Sequence, residues 1–227
     1  MSTITVSARE LTALVASVIP HASKDVSLPL LCSVFVRSSG PWVTALTTDR
    51  YRISLQRVRP AEAPGDGFAA IIPLGVLARI RSTFTAARNV DPIITLTVDE
   101  DKLLVTTTGA LDGMVGASFE FRLTDKASAW PKVDRLISEA LASDGTTAAR
   151  MVVSPSLLAD FRIGQPHYEP MRVTPTGGET KPWLIRIGED FIGLIVPVRR
   201  SVEVAELEDA GWLDLLPMGE IAAEAAA

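Results

Sequence analysis

Apolar positions along this chain switch repeatedly between a period of two and a period near 3.6, and the switches recur. Three segments share the order of a short apolar run followed by a helical stripe: "ITVSARELTALV" from Ile4, "AIIPLGVLARIR" from Ala70 and "MVVSPSLLADFR" from Met151. Aligned without gaps, Val6, Ile72 and Val153 close the runs. Leu11, Leu77 and Leu158, then Leu14, Ile80 and Phe161, take equivalent helix positions. Start signals agree with this phase. Ser7 and Glu10 form a capping-box pair, Ser154 precedes Pro155 at a first helical position, and Pro73 stands where the second strand hands over to its helix. In that second helix Leu74, Leu77, Ile80, Phe84 and Ala87 make the buried stripe, with Arg79 opposite and Arg81 on its flank.

Alternating strands follow the helices. In "PIITLTVDEDKLLVTTTG", Ile94, Leu96 and Val98 alternate with Thr95 and Thr97 before the acidic turn at Asp99, Glu100 and Asp101; in "KPWLIRIGEDFIGLIVPVR", Gly188, Glu189 and Asp190 make the turn. The predicted unit is a strand, a helix and about three antiparallel strands, an α+β plan used three times. The competing reading is chance likeness among short amphipathic helices.

Composition refines the picture. At 227 residues and 47% hydrophobic content, the chain can build one large domain or two ordinary ones around a packed core. Positions 201–227 hold seven acids and no Lys or Arg, so the first 200 residues carry 22 basic against 20 acidic groups. A near-neutral body argues against tight, purely electrostatic DNA binding but allows a local basic face. Lone Cys32 forbids an internal disulfide and, with only His21 and His167 beside it, speaks against a metal site. No cofactor is expected. No run of eighteen apolar residues occurs and the first residues lack a secretory pattern, so the expected location is cytoplasmic. Phosphate-cradling glycine loops, metalloprotease motifs and nucleophile elbows are missing, which disfavours an enzyme. Aromatic content of 6% disfavours a single-strand binder.

Two features call for a functional reading. No acid lies between positions 73 and 89, and the first helix turns Arg9, Thr12, Ala13 and Ala16 outward. Such faces are either ordinary basic surface or surfaces turned toward phosphate. "ALTTDRYRISLQRV" concentrates Arg50, Arg52 and Arg57 on one alternating strand. Half-burial explains the alternation but not the charge.

Three local matches resemble the bacterial DNA polymerase III sliding clamp, or β subunit, family. "TTDRYRISL" is similar to its T-D-G-H-R-L segment, with Arg50 for Gly and Tyr51 for His. "AWPKVDRLI" is similar to its F-P-D-Y-R-R-V-L connector, with Trp130 for Phe and Lys132 for Asp; "LIVPVR" is similar to its M-P-M-R ending, with Val196 and Val198 for the methionines. Together they span about 25–199. The resemblance implies clamp-like repeats with antiparallel sheets outside and helices inside. It implies a complete two-repeat domain at 1–125, a connector at 126–147, a single repeat at 148–200 and an acidic tail at 201–227. Family rings contain twelve repeats, so three per chain would favour a homotetramer over a trimer or dimer, placed on DNA by a clamp loader. An unpaired half-domain leaves apolar surface to be covered by a partner or by 138–147.

The resemblance also implies a function: a processivity factor that encircles duplex DNA without reading its sequence and tethers polymerase and other clamp-binding proteins. Inward-facing candidates are Arg9, Lys24, Arg79, Arg81, Arg88 and Arg162. The client-peptide pocket would join Thr48, Arg50, Tyr51, Arg52 and Ile53 to Val196, Pro197, Val198 and Arg199, with arginines orienting an acidic peptide; strand arginines that simply face water are the plain alternative. In the tail, "GWLDLLPM" places Trp212, Leu213, Leu215 and Leu216 in a client-like pattern that would dock in this pocket or complete the half-domain. A decoy that binds replication peptides without encircling DNA is the rival reading.

Overall fold

A computed structural model describes residues 1–60, 62–64, 67–86, 89–108, 117–143, 152–165, 169–178 and 180–198. Met1–Pro197 forms one compact unit and Val198–Ala227 a second, of which Val198 alone is described. The first cassette runs β1 (Ser2–Ser7), α1 (Ala8–Ala16), β2 (Ser33–Ser39), β3 (Trp42–Thr48) and β4 (Arg52–Val58). The second runs β5 (Ala69–Pro73), α2 (Leu74–Thr83), β6 (Ile93–Asp99), β7 (Lys102–Thr108) and β8 (Ser118–Arg122). A connecting helix α3 (Asp134–Leu141) precedes α4 (Pro155–Ala159), β9 (Met171–Pro175), β10 (Trp183–Ile187) and β11 (Phe191–Ile195).

Local chemistry sets the helix starts. Ser7 accepts from the Glu10 amide at 3.2 Å while the Glu10 carboxylate accepts from the Ser7 amide at 2.7 Å, closing the expected capping box. Pro73 ends β5 and α2 begins at Leu74; of the stripe expected on this helix, Ala87 lies outside the described residues. Ser154 occupies the cap position before Pro155, but its hydroxyl meets Ser156 at 2.9 Å and caps no backbone amide.

The first two cassettes exchange strands. β1 pairs antiparallel with β6 of the second cassette, and β5 pairs with β2 of the first. One sheet therefore has the order β1-β6-β7-β8, and the other runs β5-β2-β3-β4-β11-β10-β9. Continuity between β4 and β11, from Arg52 opposite Ile195 to Gln56 opposite Phe191, carries the larger sheet across from the first cassette into the third.

Period-two alternation gives that sheet two apolar faces. Val34, Val36, Ala45, Ile72, Ile185 and Ile187 point into a core shared with Leu11, Leu14, Leu77 and Ile80 of the helices and Ile4, Leu96 and Val105 of the smaller sheet. Phe35, Leu46, Ile53, Leu184 and Leu194 point the other way, under Trp130, Val133, Ile137 and Ala140. The connector thus seals the outer face, and Trp130 stacks on Phe35 with ring centroids 5.5 Å apart.

The third cassette departs from expectation at its start. Residues 152–154 form no strand, and Met151 lies outside the described residues. In the first two cassettes the leading strand pairs with the first meander strand of the other cassette; 152–154 has no such strand to join among the described residues. Its helix is held from the other side. Phe161 is fully buried against His21 at 4.3 Å between ring centroids, and a Cβ on Gly193 would collide with its ring. Gly164, at φ +75°, lies flat on the end of α1, where a Cβ would come within 2.5 Å of the Ala16 carbonyl carbon.

Because neither the left-handed backbone nor the clash can relax without moving α1, Gly164→Ala should cost roughly 2 to 4 kcal/mol. Urea denaturation should show a lowered midpoint; an unchanged midpoint would mean that this contact does not hold the third cassette.

Candidate functional site

The segment 47–53 makes a tight turn between β3 and β4. Asp49 accepts from the amides of Tyr51 at 3.0 Å and Arg52 at 2.8 Å, and the Thr48 hydroxyl donates to the Arg52 carbonyl at 2.8 Å. This winding forces Arg50 to φ +77°, a conformation favouring glycine. The Tyr51 carbonyl then receives the Val196 amide at 2.9 Å, tying the end of β11 to the turn.

Beside this tie lies a cavity of about 360 Å³. Thr48, Arg50, Tyr51, Arg52, Ile53 and Val196, six of the nine residues assigned to the client pocket, line it together. Pro197 is half-buried and outside the lining, Val198 belongs to the separate unit, and Arg199 and the tail residues Trp212, Leu213, Leu215 and Leu216 lie outside the described residues. Sequence reasoning missed the rest of the wall: Leu31, Leu194 and Pro182, with Pro131, Val133 and Leu136 from the connector. A usable signal exists in "AWPKVDRLI", whose apolar residues do more than link two domains. Tyr51 is 62% exposed, Leu136 44% and Val196 38%, so the rim presents apolar groups to solvent.

The three arginines have different fates. Arg52 is 4% exposed, and its guanidinium does not face an incoming peptide, contrary to expectation. Nε and Nη2 donate to Asp49 at 3.0 and 2.8 Å, Nη1 donates to Asp160 at 2.6 Å, and the carbonyls of Leu157 and Pro20 take one bond each. All five donors of the planar group are consumed, because the strand phase that exposes Tyr51 turns Arg52 inward. Arg57 pairs with Asp190 at 3.0 Å, bonds the Glu189 carbonyl at 3.1 Å and lies 4.1 Å from the Trp42 ring centroid. Two of the three arginines therefore fasten the third cassette to β4. Arg50 remains on the pocket wall.

His21 is buried against the same junction. Burial, followed by the Arg52 charge, pushes its pKa down to about 4 against the opposing pull of Asp160 and Asp49, so the ring is neutral near pH 7.

The basic candidates divide among several places. Arg9 and Arg81 line one groove of about 700 Å³ between α1 and α2, floored by small groups including Thr12, Ala13, Ala16 and Ala78 and lined by no acid. Arg9 also meets Asp91 twice, through its backbone amide at 3.0 Å and as an ion pair from its guanidinium Nε at 3.9 Å. Arg79 lies instead over the rings of Phe119 and Phe121, at 5.5 and 5.9 Å, since two residues along a helix turn a side chain well past a right angle. Arg162 is exposed beside α4, Lys24 is exposed in the segment before β2 outside the groove, and Arg88 lies outside the described residues.

No protein-family model matches the chain. In sequence, 87 residues are 32% identical to a beta sliding clamp of Micrococcus luteus, covering 37% of this chain and 28% of that protein. In structure, the β subunit of the Streptococcus pyogenes DNA polymerase superposes with a TM-score of 0.64 at 18% identity, covering 88% of this chain and 66% of its own. The Bacillus subtilis polymerase sliding clamp gives 0.62 at 18% identity, with 88% and 64% covered. The fold is that of a bacterial sliding clamp. This chain spans just under two thirds of those clamp structures and about a quarter of the curated relative. Among the described residues of this clamp fold, no helix is long and apolar enough to cross a membrane, and no cluster of three or more metal-binding side chains occurs.

Two outcomes follow from the junction. Arg52→Ala strands two carboxylates in a largely dry site and should lower stability by roughly 3 kcal/mol or more, with Arg52→Lys recovering only part because an ammonium cannot make five planar bonds; chemical denaturation measures both. His21 binds its proton less readily folded than unfolded, so its contribution is intact above pH 6.5 and is lost on acidification toward pH 4, on the order of 3 kcal/mol. His21→Leu should flatten that limb of a stability-versus-pH curve, and an unflattened limb would assign acid sensitivity to other groups.

Proposed function

We propose that this chain is a clamp-like replication processivity factor, a holding device and not a catalyst. Several copies encircle duplex DNA without reading its sequence, and the junction pocket tethers DNA polymerase and other clamp-binding proteins by a short linear peptide. The observation that carries this reading is the convergence of turn 48–53, Val196 and the connector on one apolar cavity in a clamp fold. Its volume suits one or two large apolar side chains, its open rim of Tyr51, Leu136 and Val196 suits an extended peptide, and Arg50 at the mouth suits an acidic flank.

The Arg9 and Arg81 groove supports the second half of the reading. Small floor residues let a backbone come close, the lining itself carries no acid to repel phosphate beyond the Asp91 that pairs with Arg9 beside it, and solvated guanidinium contacts exchange along a duplex without sequence preference. Retention then comes from closure, with four chains supplying twelve repeats and a loader opening the ring in the cytoplasm.

Fluorescence polarisation with a labelled peptide containing Gln-Leu-Asp-Leu-Phe tests the pocket. Saturable binding is expected, weakened about tenfold or more by Val196→Asp and by Arg50→Glu, the latter effect shrinking as salt rises; binding insensitive to both variants contradicts the pocket. Retention on closed circular against linear DNA tests enclosure. Preference for the circle is expected, and Arg81→Ala should lower the salt slope of the residual DNA affinity by about one. Peptide binding by a monomer that leaves circular DNA as fast as linear DNA would favour a non-encircling interaction module.

A further inference from the structure

The third cassette carries an open cavity of about 1020 Å³ on the side where the first two cassettes cover each other. Its lining includes Leu158, Ile163, Met171 and Ile187. The contrast with equivalent positions is direct: Leu11 and Leu77 are 1% and 0% exposed, whereas Leu158 is only half-buried. Ile163 and Met171 are 45% and 42% exposed. Beside the cavity, β9 ends the seven-stranded sheet with an edge unpaired among the described residues, and 152–154 is a leading segment that likewise has no partner strand among them.

These features are self-complementary. The template is set within the chain, where the last residue of each leading strand faces the first of the other cassette's meander: Ser7 opposite Ile93, and Pro73 opposite Ser33. The corresponding residues of the third cassette are Ser154 and Met171. Among the described residues, then, what β9 lacks is a segment like 152–154, and what 152–154 lacks is an edge like β9. The charges agree with a two-fold arrangement. Arg162 and Glu169 both line the cavity, and neither makes an ion pair among the described residues, so an axis through the cavity lets each meet the opposite charge of another copy.

We infer that the third cassettes of two copies complete one another. Residues 152–154 of one copy add antiparallel to β9 of the other, with Ser154 opposite Met171, and α4 of each covers the other's cavity as α1 and α2 cover each other. The pair then contains six cassettes arranged as three closed domains, and two pairs supply the twelve of a ring. The inference concerns the assembly within the clamp reading and does not use the peptide pocket.

Two single-cysteine chains in a Cys32→Ser background, one with Ser154→Cys and the other with Met171→Cys, test the register. Oxidising an equimolar mixture should give a covalent dimer that neither chain gives alone. A Ser118→Cys chain, with its thiol on the β8 edge, should not substitute for the Met171→Cys chain. Sedimentation should give the 227-residue chain an even number of subunits, and Ile163→Glu with Met171→Glu should halve its mass while peptide binding stays unchanged. A monomer at about 100 µM, well above the concentrations at which specific interfaces of ordinary size hold, overturns the inference. So does crosslinking of the Ser154→Cys chain to the Ser118→Cys chain as efficient as to the Met171→Cys chain. Peptide binding is read separately: a monomer that binds peptide removes this interface and leaves the pocket standing, and a dimer that binds none does the reverse.

Discussion

The Arg52 guanidinium determines how the rest of this molecule can be built. A fully engaged, buried arginine joins the turn after β3 to the helical segment of the third cassette through Asp49 and Asp160, while carbonyls from Pro20 and Leu157 complete its bonding. Such a group is weak evidence for raw stability, because its desolvation opposes its bonds, but its five coplanar donors are satisfied together only with Leu157 of α4 and Asp160 just after it brought up to the turn. The β4–β11 ladder and the Val196 tie to Tyr51 follow from that placement. The cavity sits at their meeting point.

Placing a pocket at such a seam has a physical rationale. A strand end, a tight turn and a connecting helix each bring a few apolar groups that their own packing does not use, and the seam gathers them without opening the core. The left-handed Arg50 fits this view. A turn wound by Asp49 needs a positive φ, and this chain places a long cation where the resembling motif has glycine, accepting backbone strain of about 1 kcal/mol to put charge at the mouth. Valine at 196 narrows what the wall can become, since a branched side chain adapts less than methionine.

Much of the fold is legible in the periodicity. The capping box at Ser7, the handover at Pro73 and the turns at Glu100 and Gly188 stand where the pattern puts them, because each is a local device whose chemistry lies within a few residues. The leading strand expected for the third cassette does not form at 152–154 for the opposite reason: a strand exists only if an edge is there to pair with it, and 152–154 has none among the described residues. The pocket is half legible. Turn and strand-end residues are found through their motifs, whereas Leu31, Pro182 and the connector wall come from distant sequence brought in by tertiary packing. Arg52 falls in the expected turn but has a different task, since no spacing rule reveals that a carboxylate 108 residues away will face it.

Hydrogen exchange with and without the client peptide tests the central claim that the junction forms one binding surface. Slowed exchange should appear together in 48–53, in 131–137 and in 193–196, with the α1 and α2 amides unchanged. Protection confined to the helical groove, or no change in the connector, would contradict it.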